Sequence, residues 1–199
     1  AGHFIIATGS KVSQPPIPDL AETGFLTSDS ALSLTSLPAS IIVLGGGAIA
    51  VEFAQFFARF DTATTVIQRS PRLIKEFDDD AADALAAAFA DEGITVRTGT
   101  SLKHAAKTDG GKSVTFSQAG EEITVTADEI LFALGRSPNT GSLDLQLAGV
   151  EAEANGRIKT NEYQQTTADH IYAAGDCCGP HEIVHIAIQQ GELAVKNLT

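Results

Sequence analysis

Methionine is absent from the 199 residues, and strand-like sequence begins almost at once, in His3-Phe4-Ile5-Ile6-Ala7-Thr8-Gly9. A natural chain starts with methionine and seldom avoids it afterwards, so we expect an interior stretch of a longer protein. Positive charge is scarce: 13 Lys and Arg stand against 25 Asp and Glu, a net charge of -12. That balance argues against a nucleic-acid partner and against an anionic membrane surface. Any anionic ligand must therefore be met by a few local charges. Cysteine is confined to the neighbours Cys177 and Cys178, with no Cys-x-x-Cys and no metal-ligand spacing. Adjacent cysteines make a strained disulfide if they pair, so we expect two reduced thiols beside a loop. No secretory signal is visible, and an interior stretch would not show one. Residues 41–60 come nearest to a membrane span, but Glu52, Gln55, Arg59 and three glycines break the run. With 43% hydrophobic and 19% charged residues the composition is that of an ordinary soluble globular protein. Cytoplasmic residence is the expectation.

What is present centres on Ile41-Ile42-Val43-Leu44-Gly45-Gly46-Gly47-Ala48-Ile49-Ala50-Val51-Glu52. A short apolar strand runs into a glycine turn that opens an apolar helix, continued by Phe53, Phe56, Phe57 and Phe60. Gly45 permits the tight turn, and Gly47 lets the backbone approach a pyrophosphate. Ala50, at the third glycine position, lets helix pack close on strand. The helix start at Ala48 and Ile49 then offers unpaired N–H groups and a positive dipole end to phosphates.

The remaining pattern completes a βαβαβ unit. Gln14-Pro15-Pro16-Ile17-Pro18 reads as a stiff extended connection, and residues 27–35 as a short helix capped by Ser28 or Asp29. The helix of 48–60 stops at Asp61, which can take a left-handed conformation, and Thr64-Thr65-Val66-Ile67 is a second strand. Asp78-Asp79-Asp80 reads as the cap of an alanine-rich helix ending at Gly93, not as a metal site. Ile94-Thr95-Val96 is a third strand, and residues 113–126 alternate about Gly120 as a hairpin. Ile130 to Leu134 is a buried strand ending at Gly135. Beyond it, residues 157–159 and Ile171 to Asp176 read as strands and residues 183–198 as a helix. With residues 1–9 they form pieces of a second sheet. The expected class is α/β, a Rossmann-like parallel sheet with a hairpin or meander appended.

The nucleotide is read from the second strand. An NAD site places Asp or Glu about 20 residues beyond the glycines; here Gln68 stands there, and Arg69, Arg72 and Lys75 follow. A guanidinium binds a 2′-phosphate bidentately, where a carboxylate would repel it. We expect NADP, with NAD the less favoured cofactor.

At this point the motifs resemble the FAD-dependent pyridine nucleotide-disulfide oxidoreductases, the family of glutathione reductase, dihydrolipoamide dehydrogenase and mercuric reductase. Ala7-Thr8-Gly9 resembles the family's strand leaving the FAD domain, Gly45 to Glu52 its nucleotide turn, and Ile171 to Asp176 its second FAD motif. Ala133-Leu134-Gly135-Arg136-Ser137-Pro138-Asn139-Thr140 and Glu162 to Thr166 also fit, and Glu52 to Gln55 with Arg69-Ser70 lean toward the mercuric reductase branch. The resemblance implies cofactor contacts at Thr8, Gly9, Gly135, Gly175 and Asp176, the last on the ribityl chain of FAD. It implies Glu52 on the nicotinamide side of the flavin, pairing with a lysine outside this sequence, and Arg69 and Lys75 at basic positions of NADPH-using relatives. The helix starting near Val184-His185 would point at the flavin pyrimidine. Domains follow: 1–36 as a partial FAD-domain strand and linker, 37–137 for NAD(P), 138–199 as a partial FAD domain, in a full-length homodimer.

Ala48 stands where several relatives have a gating tyrosine, and Asp61 replaces a usual glycine. Cys177 and Cys178 do not match the family's redox pair, so no catalytic residue is assigned here; His185 reads as positioning backbone. The expected parent passes hydride from NADPH to FAD and electrons on to a disulfide or metal ion. The alternatives are a flavin NAD(P)H dehydrogenase without redox cysteines and a non-catalytic nucleotide-binding module.

Overall fold

The computed structural model describes residues 1–13 and 17–198, so the expected extended connection at Gln14-Pro15-Pro16 lies outside the described residues. The chain divides into two compact units, one built from Ala1–Ser13 with Arg136–Thr199, the other from Gln14–Gly135. The expected first segment reached residue 36; the contacts place residues beyond Ser13 in the second unit. No helix among the described residues is long and apolar enough to cross a membrane.

The first unit starts with β1 (Phe4–Ile6) and β2 (Ser10–Val12). The strand expected over residues 3–9 reduces to Phe4–Ile6, and Gly9 at φ 67° then turns the chain before β2.

The second unit opens with two short helices, α1 (Leu20–Thr23) and α2 (Ser28–Ala31). The cap of α2 is Thr27, not Ser28 or Asp29. Thr27 Oγ1 accepts from Ser30 N at 3.3 Å, and Ser30 Oγ accepts from Thr27 N at 2.8 Å. The helix ends four residues short of the expected 35, where Ser33 Oγ donates to the Asp29 carbonyl.

Next come β3 (Ser40–Leu44), α3 (Ala48–Arg59), β4 (Ala63–Ile67), α4 (Asp79–Asp91) and β5 (Thr95–Arg97). Three antiparallel strands follow, β6 (Thr100–Thr108), β7 (Gly111–Gln118) and β8 (Glu121–Ala127), then β9 (Glu129–Phe132). The parallel sheet has the order β5-β4-β3-β9, with Ile42 opposite Thr65 on one side and Ile130 on the other. Strand β3 is central, and Ile41 to Leu44 are buried on both faces, which is why they read as an unbroken apolar run. One face carries the main core, where Ala50, Ala54 and Phe57 of α3 and Phe89 of α4 pack on Val43, Val66 and Leu131. Phe57 and Phe89 are fully buried; each such side chain contributes about 1.5–3 kcal/mol of burial.

Asp61 ends α3 at φ 61°, left-handed as expected. Asp78 takes the cap position of α4, but its side chain makes no capping bond. The cap expectation is corrected in kind: Asp79 pairs instead with Arg72, and Asp80 Oδ1 accepts from Ala81 N at 2.8 Å. No group of metal-ligating side chains occurs among the described residues.

The expected hairpin of 113–126 is a three-stranded sheet. Val114 faces Val125 and Phe116 faces Ile123 as the alternation requires, but β6 adds a strand on the other edge of β7. A register shift between Leu102 and His104 breaks the alternation of β6, and only Thr100 and Ala105 along it are buried, so the period-2 signal is lost.

The chain then returns to the first unit with β10 (Arg136–Pro138), a short 3-10 turn (Leu145–Ala148), β11 (Ile171–Ala173) and α5 (Val184–Leu198). β1 pairs parallel with β11, and β2 antiparallel with β10. The strand expected at 157–159 reduces to a single bridge between Ala152 and Ile158. Ile158, Val150, Ile171, Ala173, Cys177 and Cys178 form this unit's core.

Two glycines of the turn after β3 should respond differently to alanine. A Cβ at Gly45 (φ 119°) would lie 2.9 Å from the Ala133 carbonyl carbon and closer to its oxygen, whereas nothing lies within 4 Å at Gly47. Gly45→Ala should lower unfolding free energy by about 2 kcal/mol or more. Gly47→Ala should cost under about 1 kcal/mol. Urea unfolding of the two variants measures both, and equal losses would contradict this account.

Candidate functional site

The fold brings the glycine turn and the basic loop together. Gly45 N donates to Ile67 O at 2.9 Å, tying the end of β3 to the end of β4. Gly45 and Gly46 are buried, while Gly47 and Ala48 are exposed. Gly47 caps α3 without any side-chain acceptor. The amides of Ala48, Ile49 and Ala50 therefore lie in the first turn, where a helix leaves its N–H groups unpaired. Ala50 is buried against the sheet, and Glu52 is exposed, with no partner among the described residues.

Gly46 was not singled out from sequence, and it is the tightest of the three toward a side chain. A Cβ there would come within 2.9 Å of Gln68 Cγ, Cδ and Nε2. Gln68 is buried, and its Oε1 accepts from Arg69 N at 2.9 Å, so its amide turns inward onto the following loop. The same loop returns to the turn where Ile74 N donates to Gly46 O at 2.6 Å. Ile74 does so at φ 38°, a strained value for a β-branched residue. Of the three expected cations, Arg72 is paired with Asp79 and Lys75 with Glu76 at 3.2 Å. Arg69 is exposed, and its guanidinium has no partner among the described residues. The arrangement fits a dinucleotide: open space over Gly47, free amides at a helix N-terminus, and one uncommitted guanidinium beyond β4. Gly135 (φ 127°) is the last residue of this unit.

Thr8, Gly9, Gly175 and Asp176 lie in the other unit. Asn139 N donates to Gly9 O at 2.9 Å, and Asn139 Nδ2 to Thr8 O at 3.3 Å. Asp176 is half-buried, and its Oδ2 accepts from Ser10 Oγ at 2.7 Å. Arg136 Nε donates to Ser10 Oγ at 2.7 Å and Arg136 Nη2 to Ser10 O at 2.8 Å. Gln190, on α5, was also missed. Its Oε1 accepts from Gly175 N at 2.8 Å and its Nε2 donates to Gly179 O at 2.7 Å, so one buried side chain closes the turn that carries Asp176. The sequence held no cue beyond a polar residue among apolar helix positions.

Cys177 and Cys178 are free and buried. Their Sγ atoms lie 3.2 Å from Ala174 O and 3.3 Å from Gly175 O, contacts that a thiol makes as donor. The hydrogen bond between the two thiols pushes Cys177 down and, with burial, pushes Cys178 up and keeps it protonated; the Ala174 and Ile6 carbonyl oxygens facing Cys177 Sγ oppose a thiolate there. His185 is exposed on the first turn of α5.

Gln190→Leu should leave the Gly175 amide and the Gly179 carbonyl buried and unpaired, lowering stability by about 2–5 kcal/mol in urea unfolding. A loss below about 0.5 kcal/mol would show that water replaces the strap. A thiol reagent such as dithionitrobenzoate should find no reactive cysteine in the native chain and both after denaturation. Rapid native reaction would contradict the packing described.

Residues 1–191 match the family model described as pyridine nucleotide-disulphide oxidoreductase. The mercuric reductase of Staphylococcus aureus is 37% identical over 194 residues, which is 98% of this chain and 36% of that protein. The mercuric reductase of Bacillus cereus is 37% identical over 99% of this chain and 31% of its own length. Among solved structures, the Cu(II) complex of the HOCl-induced flavoprotein disulfide reductase RclA from Escherichia coli superposes with a TM-score of 0.90. It is 29% identical, over 98% of this chain and 45% of that one. An engineered water-forming NADPH oxidase bound to NADPH gives a TM-score of 0.87 at 25% identity, over 99% and 46%. The chain spans about a third of the length of the curated relatives it matches. Two separately folded polar turns, the order of their motifs and these matches converge: the chain belongs to the pyridine nucleotide-disulphide oxidoreductase family.

Proposed function

We propose that this chain supplies the NADPH-binding part, and part of the flavin site, of a flavoprotein oxidoreductase whose electrons pass on to a disulfide or a metal ion. The observation that carries the reading is the turn Gly45–Gly47, with open space over Gly47 and an uncapped helix behind it. Unit Gln14–Gly135 is the nucleotide-binding part, and Ala1–Ser13 with Arg136–Thr199 contributes to the flavin site. The bound cofactors supply the hydride chemistry, and the protein's work is binding and orientation. The amides at the start of α3 hold the pyrophosphate, and Arg69 meets the 2′-phosphate. Gln68 fixes the loop from which Arg69 projects, through its bond to the Arg69 amide. Asp176 accepts from a hydroxyl of the ribityl chain. Mercuric reductases among the relatives favour a metal ion as the final acceptor, and the disulfide reductase among the solved neighbours favours a disulfide.

The preference for NADP gains support from the engineered NADPH oxidase. Its named substitutions install Ala, Ala, Arg, Ser and Arg at intervals of 18, 1, 1 and 5 residues. The same intervals counted from Ala50 fall on Gln68, Arg69, Ser70 and Lys75. Alanine, arginine, serine and a second cation recur, and the aspartate removed there has an uncharged glutamine as counterpart here.

Titration of the chain with NADPH and NADH tests this. NADPH should bind more tightly, and Arg69→Ala should lower its affinity about 10- to 100-fold, the loss of one charge-assisted bond. NADH affinity should hardly change. Equal affinities that Arg69→Ala leaves untouched would remove the assignment.

A further inference from the structure

We propose that Arg136 is a positioning residue for Asp176, acting through the hydroxyl of Ser10, so that the carboxylate keeps one oxygen free to accept from a ligand hydroxyl. The proposal rests on the reading of Asp176 as a flavin contact.

The proton inventory sets the direction of the chain. A guanidinium has donors only. Arg136 Nε lies 2.7 Å from Ser10 Oγ, so the hydroxyl accepts there. The one proton of Ser10 Oγ is then left to point at Asp176 Oδ2, 2.7 Å away. Arg136 Nη2 holds the Ser10 carbonyl at 2.8 Å at the same time. A planar fork thus grips side chain and backbone of one residue and fixes the hydroxyl. The strand pairing brings this about. Arg136 of β10 stands opposite Val12 of β2, and Ser10 is the next residue along on the same face.

The interposed serine matters to the ligand. An arginine bound directly to a carboxylate engages both oxygens. Here only Oδ2 is engaged, and Oδ1 has no partner among the described residues. The half-buried carboxylate is left as a pure acceptor on one oxygen, which suits a hydroxyl of a polyol chain and disfavours an anion.

The test is flavin affinity of the full-length protein, measured by titrating apoprotein with FAD, alongside thermal unfolding of each apo form. Ser10→Ala and Arg136→Met should each weaken FAD binding about 10-fold. The double variant should be no weaker than either single, because both break the same chain. Ser10→Thr should restore affinity, and Arg136→Lys should not, since an ammonium lacks the fork. Additive losses, or loss matched by an equal fall in apo stability, would overturn the proposal. So would full affinity in Ser10→Ala and Arg136→Met while Asp176→Asn loses the flavin. If Asp176→Asn also binds FAD normally, the flavin reading of Asp176 itself fails and the positioning role falls with it. Ser10→Ala removes one oxygen, so the test stands even where Arg136→Met does not fold.

Discussion

The end of β3 is the constraint on which the nucleotide-binding unit depends. A strand buried on both faces must stop inside the protein, and its last peptide groups must find partners or face a ligand. Gly45 donates to Ile67 O, and the Ala133 amide donates to Leu44 O, so neighbouring strands close in on both sides of the turn. That closeness leaves no room for a Cβ at Gly45, and Gln68 removes the room at Gly46. Only at Gly47 does space open. The triplet is therefore three different constraints. The first two glycines serve packing between strands, and the third alone leaves the helix N-terminus approachable.

Electrostatics follows from that geometry. A chain of net charge -12 is a poor host for a dinucleotide unless positive potential is local. The helix end supplies part of it, since its dipole and free amides are backbone properties that the surface charge does not cancel. Side-chain cations add little where they are already paired. Arg72 and Lys75 are tied to carboxylates in exposed pairs that solvent screens and that hold little energy. Such pairs can exchange partners at small cost, yet a 2′-phosphate that captures either cation leaves Asp79 or Glu76 nearby as a like charge. Arg69 has no such competitor among the described residues, which is why the proposed nucleotide preference rests on it.

Sequence periodicity revealed the elements whose signal is local. The apolar run of β3, the 3.6-residue stripe of α3, and β4 and α5 all lie within a few residues of their expected bounds. The failures share a cause. Strand β6 alternates out of step after Leu102 and faces mostly solvent, so nothing local marks it. The cap of α2 was displaced by one residue because Thr27, Ser28 and Asp29 are all good caps, and only the reciprocal bond with Ser30 decides. At the candidate sites, the glycine turn and Arg69 were readable, but the residues that hold them were not. Gln68 was noted for its missing charge; its burial beneath Gly46 appears only in three dimensions. Ser10 and Asp176 are 166 residues apart, and Gln190 reaches Gly179 from another element.

On the proposed reading the two polar turns would meet different recognition problems, and their construction differs in the matching way. Phosphates are large, charged and fully accepting, so backbone amides and a guanidinium suffice, with little need to fix any single rotor. A polyol hydroxyl is neutral and can donate or accept, so an acceptor that selects its donor mode must itself be fixed. At Asp176 this takes the Gln190 strap on the backbone and the Ser10 hydroxyl on the carboxylate. Buried polar groups are dear to leave unpaired, about 1–3 kcal/mol each, so a turn held in this way persists only while all its members are present. Cys177 and Cys178 belong to that same economy of hydrogen bonds. Their thiols fill the core beneath the turn and donate to the Ala174 and Gly175 carbonyls, which ties the backbone leading into Asp176 to that core.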